Sequence, residues 1–126
     1  MILLQILTVF FAIACAWLNK WPVVTFRYYG LSKDGEKDFH AANAVVKVLW
    51  AVVLVAFLWQ TWGTKILLAI ILLLIQWLVF DIALNLFTGK SWHYLGQTAR
   101  LDKLVKNGKV KAAVVLALVI ALNFLL

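Results

Sequence analysis

Residues 41–87 carry the pattern that decides the fold: AANAVVKVLWAVVLVAFLWQTW at 41–62, GTK at 63–65 and ILLAIILLLIQWLVFDIALNLF at 66–87. Each apolar run has about 22 residues, or about 33 Å of helix at roughly 1.5 Å per residue. A bilayer's hydrocarbon core is about 30 Å thick. Backbone in lipid must satisfy its own hydrogen bonds, and a joint this short makes neighbouring helices antiparallel. The stretch therefore predicts a transmembrane hairpin that turns at Thr64.

Four polar residues lie inside this predicted hairpin. With the turn at Thr64, Lys47 lies level with Asp81, and Asn43 lies level with Asn85. Because a lone charge in a membrane span costs about 2.5–3.5 kcal/mol or more, we expect these residues to meet as a polar clasp that sets the helix register. Two other interpretations stay open, namely an ion or proton site, and a Lys47 side chain that reaches the membrane surface without pairing.

The composition limits the class of protein. The chain has 126 residues and is 66% hydrophobic, and its mean hydropathy of +0.99 is too high for an ordinary soluble domain. We predict an all-α, polytopic membrane protein with a single domain, 1–126, and four transmembrane helices at about 2–18, 41–62, 66–87 and 110–126. The first span lacks the positive leader of a signal peptide, and Pro22 is expected to end it. Asp38 is a candidate N-cap for the second helix.

Positive charge is concentrated in two connectors. Residues 19–40 hold four cations and residues 88–111 hold six, whereas the opposite side has only Lys65. The positive-inside rule then places both connectors in the cytoplasm, or in the interior of a virion, and both termini on the other side.

The second connector contains a predicted short amphipathic helix at 98–107, with Gly108 as its C-cap. Its basic face suits anionic lipid at the membrane interface better than nucleic acid, which remains a minor alternative. The predicted lipid-interface cations are Arg100, Lys103, Lys106, Lys109 and Lys111.

Small residues recur every four positions in the first and fourth spans, as Thr8, Ala12 and Ala16 and as Ala113, Ala117 and Ala121. Such stripes allow helices to approach closely. They either pack within one chain or face a neighbouring subunit.

Polar residues elsewhere in the spans also need partners. Gln5, Gln60 and Asn123 fall near the outer helix ends, where they can bond to each other or to water. Gln76 lies near mid-membrane, where it bonds another helix or another subunit, or lines a pore.

Known site patterns are absent from the sequence. There is no glycine-rich phosphate loop, nucleophile elbow or paired-carboxylate constellation. His40 and His93 without a spaced carboxylate or cysteine are weak evidence for a metal, and the single Cys15 is expected to be a buried, inert thiol. We therefore predict no metal, no cofactor and no enzymatic activity.

One segment resembles a known group of proteins. The pattern consists of an Asp and an Asn four apart, then Gly, Trp, Tyr-x-Gly, Thr and Asp, which here are Asp81, Asn85, Gly89, Trp92, Tyr94, Gly96, Thr98 and Asp102. It resembles small integral membrane proteins of bacteria and their phages that have no characterised activity. The resemblance implies a folded connector with Trp92 and Tyr94 at the interface, and a phage origin.

Together these patterns favour a non-enzymatic structural or accessory membrane subunit in a homo-oligomer or a larger assembly, such as a phage or virion membrane. The alternative is a holin-like pore former or a small dimeric channel.

Overall fold

The structure, a computed structural model, describes residues 1–29, 33–94 and 107–126. These residues form four helices and no strand: α1 (Ile2–Tyr29), α2 (Lys33–Ala56), α3 (Trp62–Phe87) and α4 (Gly108–Leu125). The predicted all-α class is confirmed for this part of the chain. Of the four helices, α3 and α4 are long and apolar enough to cross a membrane by length and composition, whereas the apolar parts of α1 and α2 are shorter, at Ile2–Leu18 and Ala44–Ala56.

The first two helices are longer than the sequence predicted. Pro22 does not end α1, which continues to Tyr29, and α2 begins at Lys33 rather than at Asp38. A proline removes one backbone hydrogen bond of a helix but leaves helical φ accessible, so the helix can resume beyond it.

The turn between α2 and α3 also lies earlier than predicted. It comprises residues 57–61, so Thr64 lies within the first turn of α3. The cause is Thr61, which is extended (φ −65°, ψ 155°) and caps α3 by accepting a hydrogen bond from the Thr64 amide at 3.4 Å. At the other end of the turn, Lys65 Nζ donates to the Ala56 carbonyl at 3.2 Å, satisfying a carbonyl that the end of α2 leaves free.

Helix α3 is the centre of the described fold, because α1, α2 and α4 each pack against it. The α1 contact is the most extensive and is built from small residues, with Ala12 and Ala16 against Phe80 and Ala83. In each of the other two contacts an alanine and a valine pack on leucine side chains of α3. Ala51 and Val55 of α2 pack on Leu68 and Leu72, and Ala112 and Val115 of α4 pack on Leu78.

The connector before α4 is described at its two ends only. The predicted short helix at 98–107 lies almost wholly outside the described residues, as do Arg100, Lys103 and Lys106. At its C-terminal end, Gly108 is not a C-cap but the first residue of α4, because the Asn107 side chain accepts from the Lys109 amide at 2.8 Å and starts a new helix there.

Candidate functional site

The candidate site is a buried ion pair between α3 and α4. Lys111, in the first turn of α4, donates from Nζ to Asp81 Oδ2, and its side chain is only 3% exposed against 27% for Asp81. The same ammonium lies 4.2 Å from the centroid of the Trp77 ring, one turn before Asp81 on α3. The sequence placed Lys111 among the lipid-interface cations. Its burial corrects that prediction and makes it a partner of Asp81.

A second lysine lies close to this pair. Lys47 Nζ sits over the Phe80 ring, 3.9 Å from its centroid, next to Asp81 in the chain. Side chains on a helix point toward the helix N-terminus. The Lys47 side chain therefore extends away from the turn between α2 and α3, and its ammonium lies farther from that turn than its own backbone does. The structure therefore places Lys47 beside the part of α3 that contains its predicted partner. A direct ion pair between Lys47 and Asp81 stays a prediction. Each of the two lysines lies over an aromatic ring, and the two rings are neighbours on α3. These cation–π contacts favour a structural link between the helices.

Asn85 forms hydrogen bonds to the connector that follows α3. Its side-chain amide donates to the carbonyls of Trp92 (3.2 Å) and Tyr94 (2.8 Å), and the residue is buried. The turn that follows α3 requires Gly89 at φ 76°, a conformation that costs glycine little. Asn85 thus holds residues 92–94 against the end of α3. The described side chains do not include that of Asn43, its predicted partner.

Two further polar links join α1 to its neighbours. Trp50 of α2 donates from its indole nitrogen to Thr8 Oγ1 at 3.0 Å while stacking on Phe11, with ring centroids 3.8 Å apart. Gln5 and Asn123 exchange two hydrogen bonds of 2.7 and 3.1 Å, so the start of α1 lies beside the end of α4. Of the two alternatives that the sequence left open, bonds to each other or bonds to water, the structure shows the first for Gln5 and Asn123.

Gln76 differs from every other polar residue in this part of the chain. It is completely buried in the middle of α3, and neither its amide nitrogen nor its amide oxygen has a hydrogen-bond partner among the described residues. Leu4 packs against the cluster that contains Leu68 and Leu72, and Ala12 belongs to the cluster that contains Phe80, so Thr8 lies near the level of Gln76. An unsatisfied buried amide costs about 1–3 kcal/mol, so the Gln76 side chain lowers the stability of the packing observed around it.

The two small-residue stripes have different environments. Thr8, Ala12 and Ala16 are completely buried within the chain, against α3 and α2. The second stripe, on α4, is exposed along its whole length: Ala113, Ala117 and Ala121. Since α4 buries only Lys111, Ala112 and Val115, most of its apolar surface has no contact within the described chain.

Exposed aromatic residues lie at both ends of α3. Near its start are Phe57, Trp59 and Trp62, at 88%, 100% and 77% exposure, and near its end are Trp17, Phe87, Trp92 and Tyr94. The 26 residues of α3 span about 39 Å. Two aromatic levels separated by about this distance, with exposed aliphatic side chains between them, are typical of helices that cross a bilayer.

The Lys111 partnership could not be found from the sequence, because a connector of about twenty residues joins α3 to α4 and leaves their register open. The only available signal was that Lys111 lies one helical turn before Val115, inside the last apolar run.

Within the described ranges, no three His, Cys, Asp or Glu side chains form a group that could hold a metal ion. Comparison of the chain with protein-family models, curated proteins and solved structures found no match.

Proposed function

We propose that this chain is an integral membrane protein with all four helices in the bilayer, acting as a non-enzymatic structural or accessory subunit of an oligomeric or larger membrane assembly. The membranes we propose are a bacterial inner membrane or a virion membrane, with the basic connectors on the cytoplasmic or interior side. The partners we propose are lipid, including anionic lipid, and further copies of the chain or other membrane subunits.

The membrane placement is supported by the reversal of polarity across the described bundle. Large apolar side chains point outward on all four helices, such as Phe10, Leu49, Ile66 and Ile120, whereas the ion pair of Lys111 and the amide pair of Gln5 and Asn123 are turned inward. This distribution costs little in lipid and a great deal in water, where exposed apolar area is penalised by roughly 25 cal/mol per Å².

The single observation that carries the subunit role is the exposed face of α4. Helices in lipid associate through small residues that allow close backbone approach. The α1 stripe uses this geometry within the chain, and the α4 stripe offers it to another molecule.

Cysteine cross-linking tests this assignment. In a Cys15→Ala background, Ala117→Cys places a thiol on the exposed α4 face, and Ala112→Cys places one on the buried α4 face as a matched control. In native membranes, oxidation should convert Ala117→Cys, but not Ala112→Cys, to a higher-mass species. If both variants stay monomeric, the subunit role through this face is wrong. Release of the protein from membranes by alkaline carbonate would contradict the membrane placement itself.

A holin-like pore or small channel is the second candidate function, and Gln76 is the observation that favours it. A fully buried amide that has no hydrogen-bond partner among the described residues gains hydrogen bonds if the helices rearrange around water. Dye release from liposomes that contain the protein, lost in Gln76→Leu, would support a pore. Liposomes that stay intact at high protein loading would exclude it.

A further inference from the structure

An open groove lies at the turn between α2 and α3. It has a volume of about 440 Å³ and is lined by Leu58, Trp59, Gln60, Thr61 and Lys65, and we name it the turn groove. Ligand pockets in proteins have volumes of about 300–1,000 Å³. The turn groove is therefore large enough for a small ligand or for one end of a longer one.

A lysine that is held by uncharged groups gives the turn groove its charge. Lys65 Nζ donates to the Ala56 carbonyl at 3.2 Å and lies 4.9 Å from the centroid of the Trp62 ring. An ammonium has three N–H donors, and the carbonyl takes one of them. Lys65 forms no ion pair with a described residue, and the first acid after it on α3 is Asp81, about 24 Å farther along the helix. The turn groove thus keeps a positive charge and two donors for an anionic ligand.

The turn groove also lies at the depth of lipid headgroups in the membrane placement proposed above. The 26 residues of α3 span about 39 Å, whereas a hydrocarbon core is about 30 Å thick. With α3 centred in the bilayer, its first turn reaches about 4–5 Å beyond the core. Because side chains on a helix point toward its N-terminus, the Lys65 ammonium lies at this level. The rings of Phe57, Trp59 and Trp62 are among the most exposed apolar side chains of the described residues, and such rings suit the same layer.

We propose that the turn groove binds the phosphodiester of a glycerophospholipid in the leaflet next to the turn. The Lys65 ammonium donates to a phosphate oxygen, and the exposed Gln60 amide offers further donors. Trp59 and Trp62 contact the glycerol and the upper acyl region. The inference rests on the proposed membrane placement and adds a specific lipid site to it, at the end of α3 opposite to the basic connectors.

Fluorine NMR of the full-length protein labelled with 5-fluorotryptophan tests the site, because Trp59 lines the turn groove and Trp59→Phe identifies its resonance. In maltoside micelles, dihexanoyl phosphatidylglycerol should shift the Trp59 resonance to saturation. Dihexanoylglycerol, which has the same acyl chains and no phosphate, should not saturate the shift over the same concentration range. Lys65→Gln should bind the phospholipid roughly 5-fold more weakly, the contribution of one cation beside a lipid phosphate.

Lys109→Gln is the matched control. Lys109 is an exposed lysine at the start of α4, and its replacement should leave the Trp59 titration unchanged. The Trp50 and Trp77 resonances report folding, because both rings make contacts inside the bundle. If Lys65→Gln does not fold, the comparison of the two ligands on the parent protein decides alone.

Three results would overturn the site. They are an unchanged affinity in folded Lys65→Gln, equal losses in Lys65→Gln and Lys109→Gln, and equal binding of dihexanoylglycerol and the phospholipid. Saturation by glycerol phosphate at the same concentrations would also overturn it, in favour of a site for a soluble anion. A protein that resists extraction by alkaline carbonate but whose Trp59 resonance does not titrate with phospholipid would contradict this inference only.

Discussion

Replacing Lys111 with methionine should destabilise the protein strongly. The substitution keeps an unbranched apolar side chain of similar length beside Trp77 but removes the ammonium that donates to Asp81. Breaking a buried ion pair by removing one partner costs about 3–5 kcal/mol. Because the Asp81 side chain is 27% exposed, we expect the lower end, about 3 kcal/mol, or a roughly 100-fold larger unfolding constant.

The assay is equilibrium unfolding of purified protein in mixed micelles, followed by tryptophan fluorescence. Lys109→Met is the matched control, since Lys109 lies on the same helix two residues earlier and is exposed; its effect should stay within about 0.5 kcal/mol. The double variant Asp81→Leu with Lys111→Met should recover most of the loss, because neither member of this pair is then left without the other.

Three results would refute this reasoning. Equal stability of Lys111→Met and Lys109→Met would mean that the buried pair contributes nothing. Additive losses in the double variant would mean that Asp81 and Lys111 do not interact. A loss in Lys47→Met as large as that in Lys111→Met would assign the main ion pair to the α2–α3 hairpin. Loss of the cation–π contact between Lys47 and Phe80 would by itself cost about 0.5–2 kcal/mol.

Three further predictions concern packing. Gly108→Ala should destabilise the protein by about 1–3 kcal/mol, because the new Cβ would meet the His93 backbone. Gly63→Ala has no atom within 4 Å of its new Cβ and should be neutral or stabilising by up to about 1 kcal/mol. Thermal unfolding compares the two variants. Gln76→Leu should raise the unfolding free energy by about 1–3 kcal/mol, because it removes an amide that has no hydrogen-bond partner among the described residues; a loss of stability would show that a group outside these residues satisfies the amide. Trp50→Phe should keep the ring stack but lose the indole donor to Thr8, at a cost of about 0.6–1.7 kcal/mol in the same unfolding assay.

Features that depend on local periodicity could be predicted from the sequence. The helical class follows from the long apolar runs, and the four-residue repeat of Thr8, Ala12 and Ala16 identified a face that packs closely. A bond between Gln5 and Asn123 was one of the two alternatives that the sequence allowed, because each lies near an end of an apolar run, which fixes its depth.

Features that depend on competing local signals were predicted less well. The sequence predicted the joint at residues 63–65, whereas the cap by Thr61 determines where α3 starts. Gly63 lies in the first turn of α3 and not between the two helices. Moving the turn from Thr64 to residues 57–61 changes which residues of α2 and α3 are level, and therefore changes the backbone level of Lys47 relative to Asp81.

The polar links explain how so apolar a chain can specify one arrangement of helices in the membrane placement proposed here. Aliphatic contacts between helices differ little in free energy from contacts with lipid tails, so the many exchangeable leucines and valines of α3 do not select neighbours. Hydrogen bonds and ion pairs do select neighbouring helices, because they are directional. Trp50 links α2 to α1, Asn123 links α4 to α1, and Lys111 links α4 to α3. Each link joins a different pair of helices at a different distance along the bundle, so a shift of any helix by one turn would break one of them.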